Sequence, residues 1–333
     1  MSEELKRSLD LSSKQVDDFI AKLFSEAGQR DQDLWKASMH LLSAGGKRLR
    51  PFLVLTSCEL VGGNPGKAIP LAAAIELVHN FTLVHDDIMD QDHLRRGVPT
   101  VHKLYGTPMA ILAGDTLFAK AYEAALVAAE DVSPKRLLRS VEIITKTTIE
   151  ICQGQALDMQ FEQRSKVSER EYMEMIAKKT AALMVAASEI GAVVGGGTPR
   201  EINRLRRAMM ASGLAFQMVD DVLGLSADER RLGKPIGSDL REGKRTLITI
   251  HGLGRAGTME KDLIFRALGN RDATFEEIRE AVTLLTSLGA VDYVSAKAAA
   301  YNEKAKGELR KFPASPPRER LLDLLDYVVA RDR

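Results

Sequence analysis

The sequence predicts an all-α protein, and three observations carry that expectation. Apolar residues recur at helical spacing along almost the whole chain, as in Leu71, Ile75 and Val78 with Leu77 and Leu83, or Leu205, Met209, Leu214, Met218 and Val222. Glycine and proline cluster between such segments, at Gly62 to Gly66, Gly97 to Pro99, Val132 to Pro134, Gly195 to Pro199 and Phe312 to Pro317. The β-branched stretch Thr246 to Ile250 could pass for a strand, but it has no partner in the sequence and is read as helix.

From the N-terminus, Met1 to Asp10 carries Glu3, Glu4, Lys6 and Arg7 without an apolar core, so no signal peptide is expected and the protein is expected to be cytoplasmic. Gly45 to Pro51 is a basic turn ahead of an apolar helix. The runs Ile75 to Asp90 and Met209 to Leu225 read as helices that carry aspartates at or near their ends. Ala181 to Val194 reads as a buried helix, interrupted by Glu189 and shorter than the roughly 20 apolar residues that span a bilayer. Stable membrane insertion is not expected.

Composition bounds the rest. In 333 residues there is no Pro/Ser-rich linker, so a single domain over 1–333 is expected. The 47 basic and 46 acidic residues leave a net charge of +1, which provides no global field for nucleic acid. Cys58 and Cys152 lie in apolar stretches without metal-ligand spacing and are expected to be small buried thiols.

The chemistry lies in two acidic clusters, Asp86-Asp87-x-x-Asp90 and Asp220-Asp221. On a helix, Asp86 and Asp90 point within about 40° of each other and Asp87 about 100° away. Two carboxylates converging near a helix C-terminus repel each other and oppose the dipole, so a cation is the natural offset. Magnesium, with its preference for hard oxygen ligands and phosphates, fits this requirement. The plain alternative is a solvated acidic helix end.

Basic residues accompany each cluster. Arg95-Arg96 after the first offers two guanidinium forks in different directions, with salt bridges to Asp86, Asp90 or Asp92 as the alternative. His79, two turns before Asp86, could donate to a phosphate. After the second cluster, Lys234 and Lys244 stand in glycine-containing sequence that differs from a Walker A loop. Lys47 and Arg50 lie in the basic turn. Two metal clusters with three basic groups point to two phosphorylated substrates.

The order Gly-Gly-Lys-Arg-Leu-Arg-Pro (45–51), His-Asp-Asp-Ile-Met-Asp (85–90), Arg-Arg-Gly (95–97), Lys-Thr (179–180), Phe-Gln-x-x-Asp-Asp (216–221) and Gly-Lys (243–244) resembles the trans-type isoprenyl diphosphate synthases, most of all the archaeal geranylgeranyl diphosphate synthases. The resemblance implies a single-domain all-α fold, the isoprenoid synthase bundle around a central cavity, usually as a homodimer. It implies that isopentenyl diphosphate is condensed head to tail with an allylic diphosphate. Asp86 and Asp90 would bind two magnesium ions and Asp220 a third, with Asp87 and Asp221 in support. Arg95, Lys179, Thr180, Gln217, Lys234 and Lys244 would hold the allylic diphosphate, and Lys47, Arg50, His79 and Arg96 the isopentenyl diphosphate. Asp158, in Gly154-Gln155-Ala156-Leu157-Asp158, would orient Arg95 or a metal-bound water.

One position departs from the family pattern. Gly224 stands where many members have a third aspartate, and Asp228 is the nearby loop carboxylate that could approach. Chain length is read from Phe81, Thr82 and Val78 upstream of Asp86. One aromatic, Phe81, would stop the tail, and Thr82 leaves more room than a second ring. A C20 product is favoured over C15 and C25. Phe81 nevertheless points about 140° from Asp86 on an ideal helix. A class I terpene cyclase, an inactive synthase-like regulatory subunit and a phosphohydrolase are the alternatives, and isopentenyl dependence separates them.

Overall fold

The computed structural model describes residues 2–25, 32–226 and 237–330. Helices dominate, in chain order α1 (Glu3–Ser25), α2 (Gln32–Ser43), α3 (Leu49–Leu60), α4 (Ile69–Met89), α5 (Val101–Tyr105), α6 (Thr107–Val127), α7 (Pro134–Glu162), α8 (Glu169–Ile176), α9 (Ala182–Gly195) and α10 (Pro199–Ser226). After them come α11 (Ser238–Glu242), α12 (Leu247–Arg255), α13 (Thr258–Ala267), α14 (Phe275–Ser287), α15 (Ala290–Leu309) and α16 (Pro316–Val329). The all-α expectation holds, and the glycine and proline clusters fall between helices as read. Thr246 to Ile250 is helical because Thr246 caps α12, its hydroxyl accepting from the Thr249 N–H.

The sheet among the described residues is one small hairpin, β1 (Leu94–Arg95) against β2 (Val98–Pro99). Its turn residues Arg96 and Gly97 both have positive φ, 54° and 77°, which matches the twist of a two-residue hairpin. Nothing in the hydrophobic periodicity announces this element.

The chain divides into two compact units. The first comprises Met1–Thr148, Leu183–Arg207 and Glu308–Leu324, and the second Ile149–Ala182, Ala208–Gly307 and Leu325–Arg333. In the first, α4 is apolar on nearly all sides; Leu71 to Val78 are fully or almost fully buried, and α4 lies along α6. In the second, Tyr172, Ile176, Met218, Leu247, Ile264, Leu285 and Val294 belong to one core. Two helical stretches, Pro65–Met89 and Pro199–Leu225, are long and apolar enough to cross a membrane, but most of each apolar window is buried within the protein. These are the helices that carry the aspartate clusters. Cys58 is buried as expected, whereas Cys152 is exposed, because it lies off the buried stripe of α7 formed by Ile151, Gln155 and Asp158.

Candidate active site

In the first unit, α4 ends at Met89 and Asp90 caps it, its N–H bonding the Asp86 carbonyl at 2.8 Å. Asp86 and Asp90 are half-buried, while Asp87 is buried, in keeping with its different helical direction. Arg95 Nε donates to Asp87 Oδ1, and its Nη2 lies 3.2 Å from Asp92 Oδ2. Arg96, at the hairpin turn, donates instead to the carbonyls of Leu41 (2.9 Å) and Gly45. The two guanidiniums therefore do point in different directions. Gly46 admits the Arg96 fork; a Cβ there would lie 3.0 Å from Arg96 Cζ.

Arg50 Nη1 lies 3.1 Å from His79 Nε2. Burial, followed by the charges of Arg50, Arg96, Arg95 and Arg48, holds the His79 pKa well below its ordinary value. His79 is therefore neutral, with Nε2 accepting from Arg50. Lys47 is exposed on the same turn. Farther up α4, Val78 is fully buried and Thr82 donates its hydroxyl to the His79 carbonyl at 2.8 Å. Phe81 packs on His85 and on Phe118 of α6, with ring centroids 5.1 and 5.2 Å away, and Phe118 in turn packs on Tyr122.

In the second unit, Asp220 is exposed at the surface of α10 and Asp221 is buried. Asp221 accepts from the Tyr172 hydroxyl at 2.6 Å and from Gln217 Nε2 at 2.9 Å. Burial, reinforced by Asp239 and Asp220, pushes its carboxyl up to about 8 against these two hydrogen bonds. Gln217 Oε1 accepts from Thr180 at 2.7 Å, so Thr180, Gln217 and Asp221 form one chain of hydrogen bonds. Lys179 and Thr180 lie in a single π turn, Ala177–Ala181, the kind of local widening that redirects side chains at functional sites. Lys179 Nζ is 2.5 Å from Asp158 Oδ2, so Asp158 holds this lysine, a partner that the expectation of Arg95 or a metal-bound water did not include. Gly154 makes room for the turn, since a Cβ there would lie 2.3 Å from the Lys179 backbone nitrogen.

Lys244 Nζ lies 2.8 Å from Glu242 and shares a small pocket with Asp221, Asp239 and Thr246. Asp239, which the sequence reading did not single out, has its carboxylate 3.1 Å from where a Cβ of Gly224 would stand. It thus brings a carboxylate next to the position that lacks one. Lys234 and Asp228 lie outside the described residues. Tyr172 was also missed; it sits 49 positions from Asp221, and no motif spacing connects them.

Each unit by itself offers hard carboxylate oxygens without thiol or imidazole beside them, Asp86 and Asp90 at the end of α4 in the first and Asp220 on α10 in the second, a donor chemistry that would suit magnesium. Among the described residues no three His, Cys, Asp or Glu side chains form a ready-made metal group. An ion held here would complete its shell with phosphate and water, as magnesium commonly does.

The first unit thus presents a half-buried histidine facing an arginine and an acidic helix end, and the second a carboxylate pair with Lys244 in the pocket beside it. The chain belongs to the polyprenyl synthetase family, whose model matches residues 31–285, and it is accordingly a prenyltransferase. It is 44% identical to a short chain isoprenyl diphosphate synthase of Methanothermobacter thermautotrophicus over 98% of both chains, and 46% identical to a geranylgeranyl diphosphate synthase of Methanosarcina mazei over 91% of both. Among solved structures, geranylgeranyl pyrophosphate synthetase from Pyrococcus horikoshii superposes with a TM-score of 0.92 at 44% identity, covering 99% of each chain.

Proposed function

We propose that this protein is a magnesium-dependent geranylgeranyl diphosphate synthase, forming a C20 prenyl diphosphate from isopentenyl diphosphate and allylic diphosphates. The observation that carries the reading is the presence of two acidic motifs together with a basic turn that carries its own neutral histidine. One diphosphate needs metal and lysines; the second needs only cations and hydrogen-bond donors. The names of the archaeal relatives support the product length.

In this reading Asp86 and Asp90 would hold two magnesium ions and Asp220 a third, which would supply positive charge against that of a diphosphate leaving group. Arg95, Lys179, Lys234 and Lys244 bind the allylic diphosphate and stabilise the charge that develops on it as the C–O bond breaks. Thr180 and Gln217 stand beside it, with Asp87 anchoring Arg95, Asp158 anchoring Lys179, and Asp221 closing the hydrogen-bond chain. Lys47, Arg50, His79 and Arg96 align isopentenyl diphosphate, whose double bond attacks the allylic C1. The proton then lost goes to the released diphosphate. Phe81, backed by Phe118, limits the tail, with Thr82 leaving room and Val78 forming a fixed wall.

We read the two compact units as one polyprenyl synthetase domain, because the family match runs through segments of both. We also read the protein as a homodimer, with Ile111, Leu112 and Leu126 of α6 as exposed apolar surface for a second copy. A chain with only two cysteines, one buried and one exposed, suits a cytoplasmic enzyme. The experiment that tests the function is transfer of label from isopentenyl diphosphate into a hydrophobic, phosphatase-releasable alcohol, with and without EDTA. Label transfer that needs both the allylic partner and the metal supports the assignment; diphosphate release without isopentenyl consumption would move it to a cyclase or hydrolase.

A further inference from the structure

We infer that Arg48 is the positioning residue of the isopentenyl diphosphate site, and that helix α1 takes part in that site through Asp17. The inference rests on the assignment of Lys47, Arg50 and His79 to that substrate. Arg48 lies between the two basic residues of the turn, yet its side chain is only 2% exposed and turns away from them into the protein. Its guanidinium is held on three sides. Nε donates to Asp17 Oδ1 at 2.9 Å, Nη1 to Glu76 Oε1 at 3.0 Å, and Nη2 to the Leu42 carbonyl at 2.8 Å. These partners belong to α1, α4 and the end of α2.

The backbone gives the arrangement its purpose. Arg48 has φ 45° and ψ 39°, a left-handed conformation that a side chain with a β-carbon adopts only when its surroundings impose it. That conformation reverses the chain just before α3 and separates Lys47, which is exposed, from Arg50, which faces His79. Glu76 lies one turn before His79 on α4. A closed circuit results: Arg48 to Glu76, along α4 to His79, across to Arg50 at 3.1 Å, and back through two residues of backbone. Moving Arg48 therefore moves Arg50 and Lys47 relative to His79. Asp17 lies before the segment that the family model matches, so the family pattern itself gives α1 no part in this circuit.

A lysine at 48 keeps the charge but cannot reach three partners in three directions. The test compares wild type, Arg48→Lys and Asp17→Asn in steady-state assays that vary each substrate separately. Calorimetric titration with isopentenyl diphosphate alone provides a readout that does not depend on turnover. Loosening of the turn is expected to raise the KM for isopentenyl diphosphate, and its dissociation constant, by about tenfold in Arg48→Lys and less in Asp17→Asn. The KM for the allylic diphosphate should stay within about twofold. Equal rises for both substrates, a fall in kcat alone, or unchanged isopentenyl binding in Asp17→Asn would overturn the inference. If wild type binds isopentenyl diphosphate but elongates nothing, the proposed reaction fails while the binding comparison still tests Arg48.

Discussion

Arg50 Nη1 stands 3.1 Å from His79 Nε2, a contact in which the guanidinium donates and the imidazole accepts. Burial and four nearby arginines hold the imidazole neutral, so the folded protein takes up its proton only well below pH 6.5, whereas the unfolded chain takes it up near 6.5. The unfolded state then binds more protons in acid. The histidine's contribution is intact above about pH 6.5 and is lost as pH falls toward the folded pKa, with a limiting slope of about 1.4 kcal/mol per pH unit. Denaturant unfolding of wild type and His79→Gln between pH 7.5 and 5 measures it. The variant should lose less stability on acidification than wild type.

The acidic motifs should be needed individually. Asp86→Asn, Asp90→Asn and Asp220→Asn are each expected to lower kcat/KM by about 10²–10³ and to raise the magnesium concentration for half-maximal activity. Circular dichroism should be unchanged, because Asp86 and Asp90 are half-buried and Asp220 is exposed. Activity close to wild type in Asp220→Asn would remove the second motif from metal binding.

Asp239 should share in that second site. Its carboxylate lies beside Gly224 and in the pocket with Asp221 and Lys244. Asp239→Asn is expected to raise the magnesium concentration for half-maximal activity, as Asp220→Asn does, but by a smaller factor. An unchanged magnesium titration would make Asp239 a packing residue only.

Phe81 packs on Phe118 with ring centroids 5.2 Å apart, and the proposed limit on product length rests on this contact. Phe81→Ala should lengthen the product distribution beyond C20, and Phe118→Leu should do so to a smaller extent. Chromatography of the dephosphorylated alcohols reports both. An unaltered distribution in Phe81→Ala would place the limit elsewhere in the chain.

Tyr172 is buried and gives its hydroxyl to Asp221 at 2.6 Å. Tyr172→Phe leaves that carboxyl with one donor fewer at a buried position, a loss of about 1–3 kcal/mol. Urea unfolding at neutral pH should show it, and an unchanged midpoint would contradict the role given to this hydroxyl.

Much of this molecule was legible in its sequence because helix periodicity and short motifs are local signals. The stripes ending at Asp90 and Asp221, the helix at Thr246 to Ile250 and the divergent arginines all follow from residues within two or three turns of one another. What escaped depends on contacts between distant segments. Asp158 chooses Lys179, 21 positions away, through a π turn that no residue pattern announces. Arg48 turns inward because Asp17 and Glu76 are there to receive it. Cys152 is exposed although its neighbours are apolar, since its place on α7, not its composition, decides burial.

The most direct test is incubation with isopentenyl diphosphate, magnesium and each of dimethylallyl, geranyl and farnesyl diphosphate, followed by chromatography of the released alcohols against C10 to C25 standards. A dominant C20 alcohol that disappears with EDTA is expected. No elongated product from any starter would contradict it.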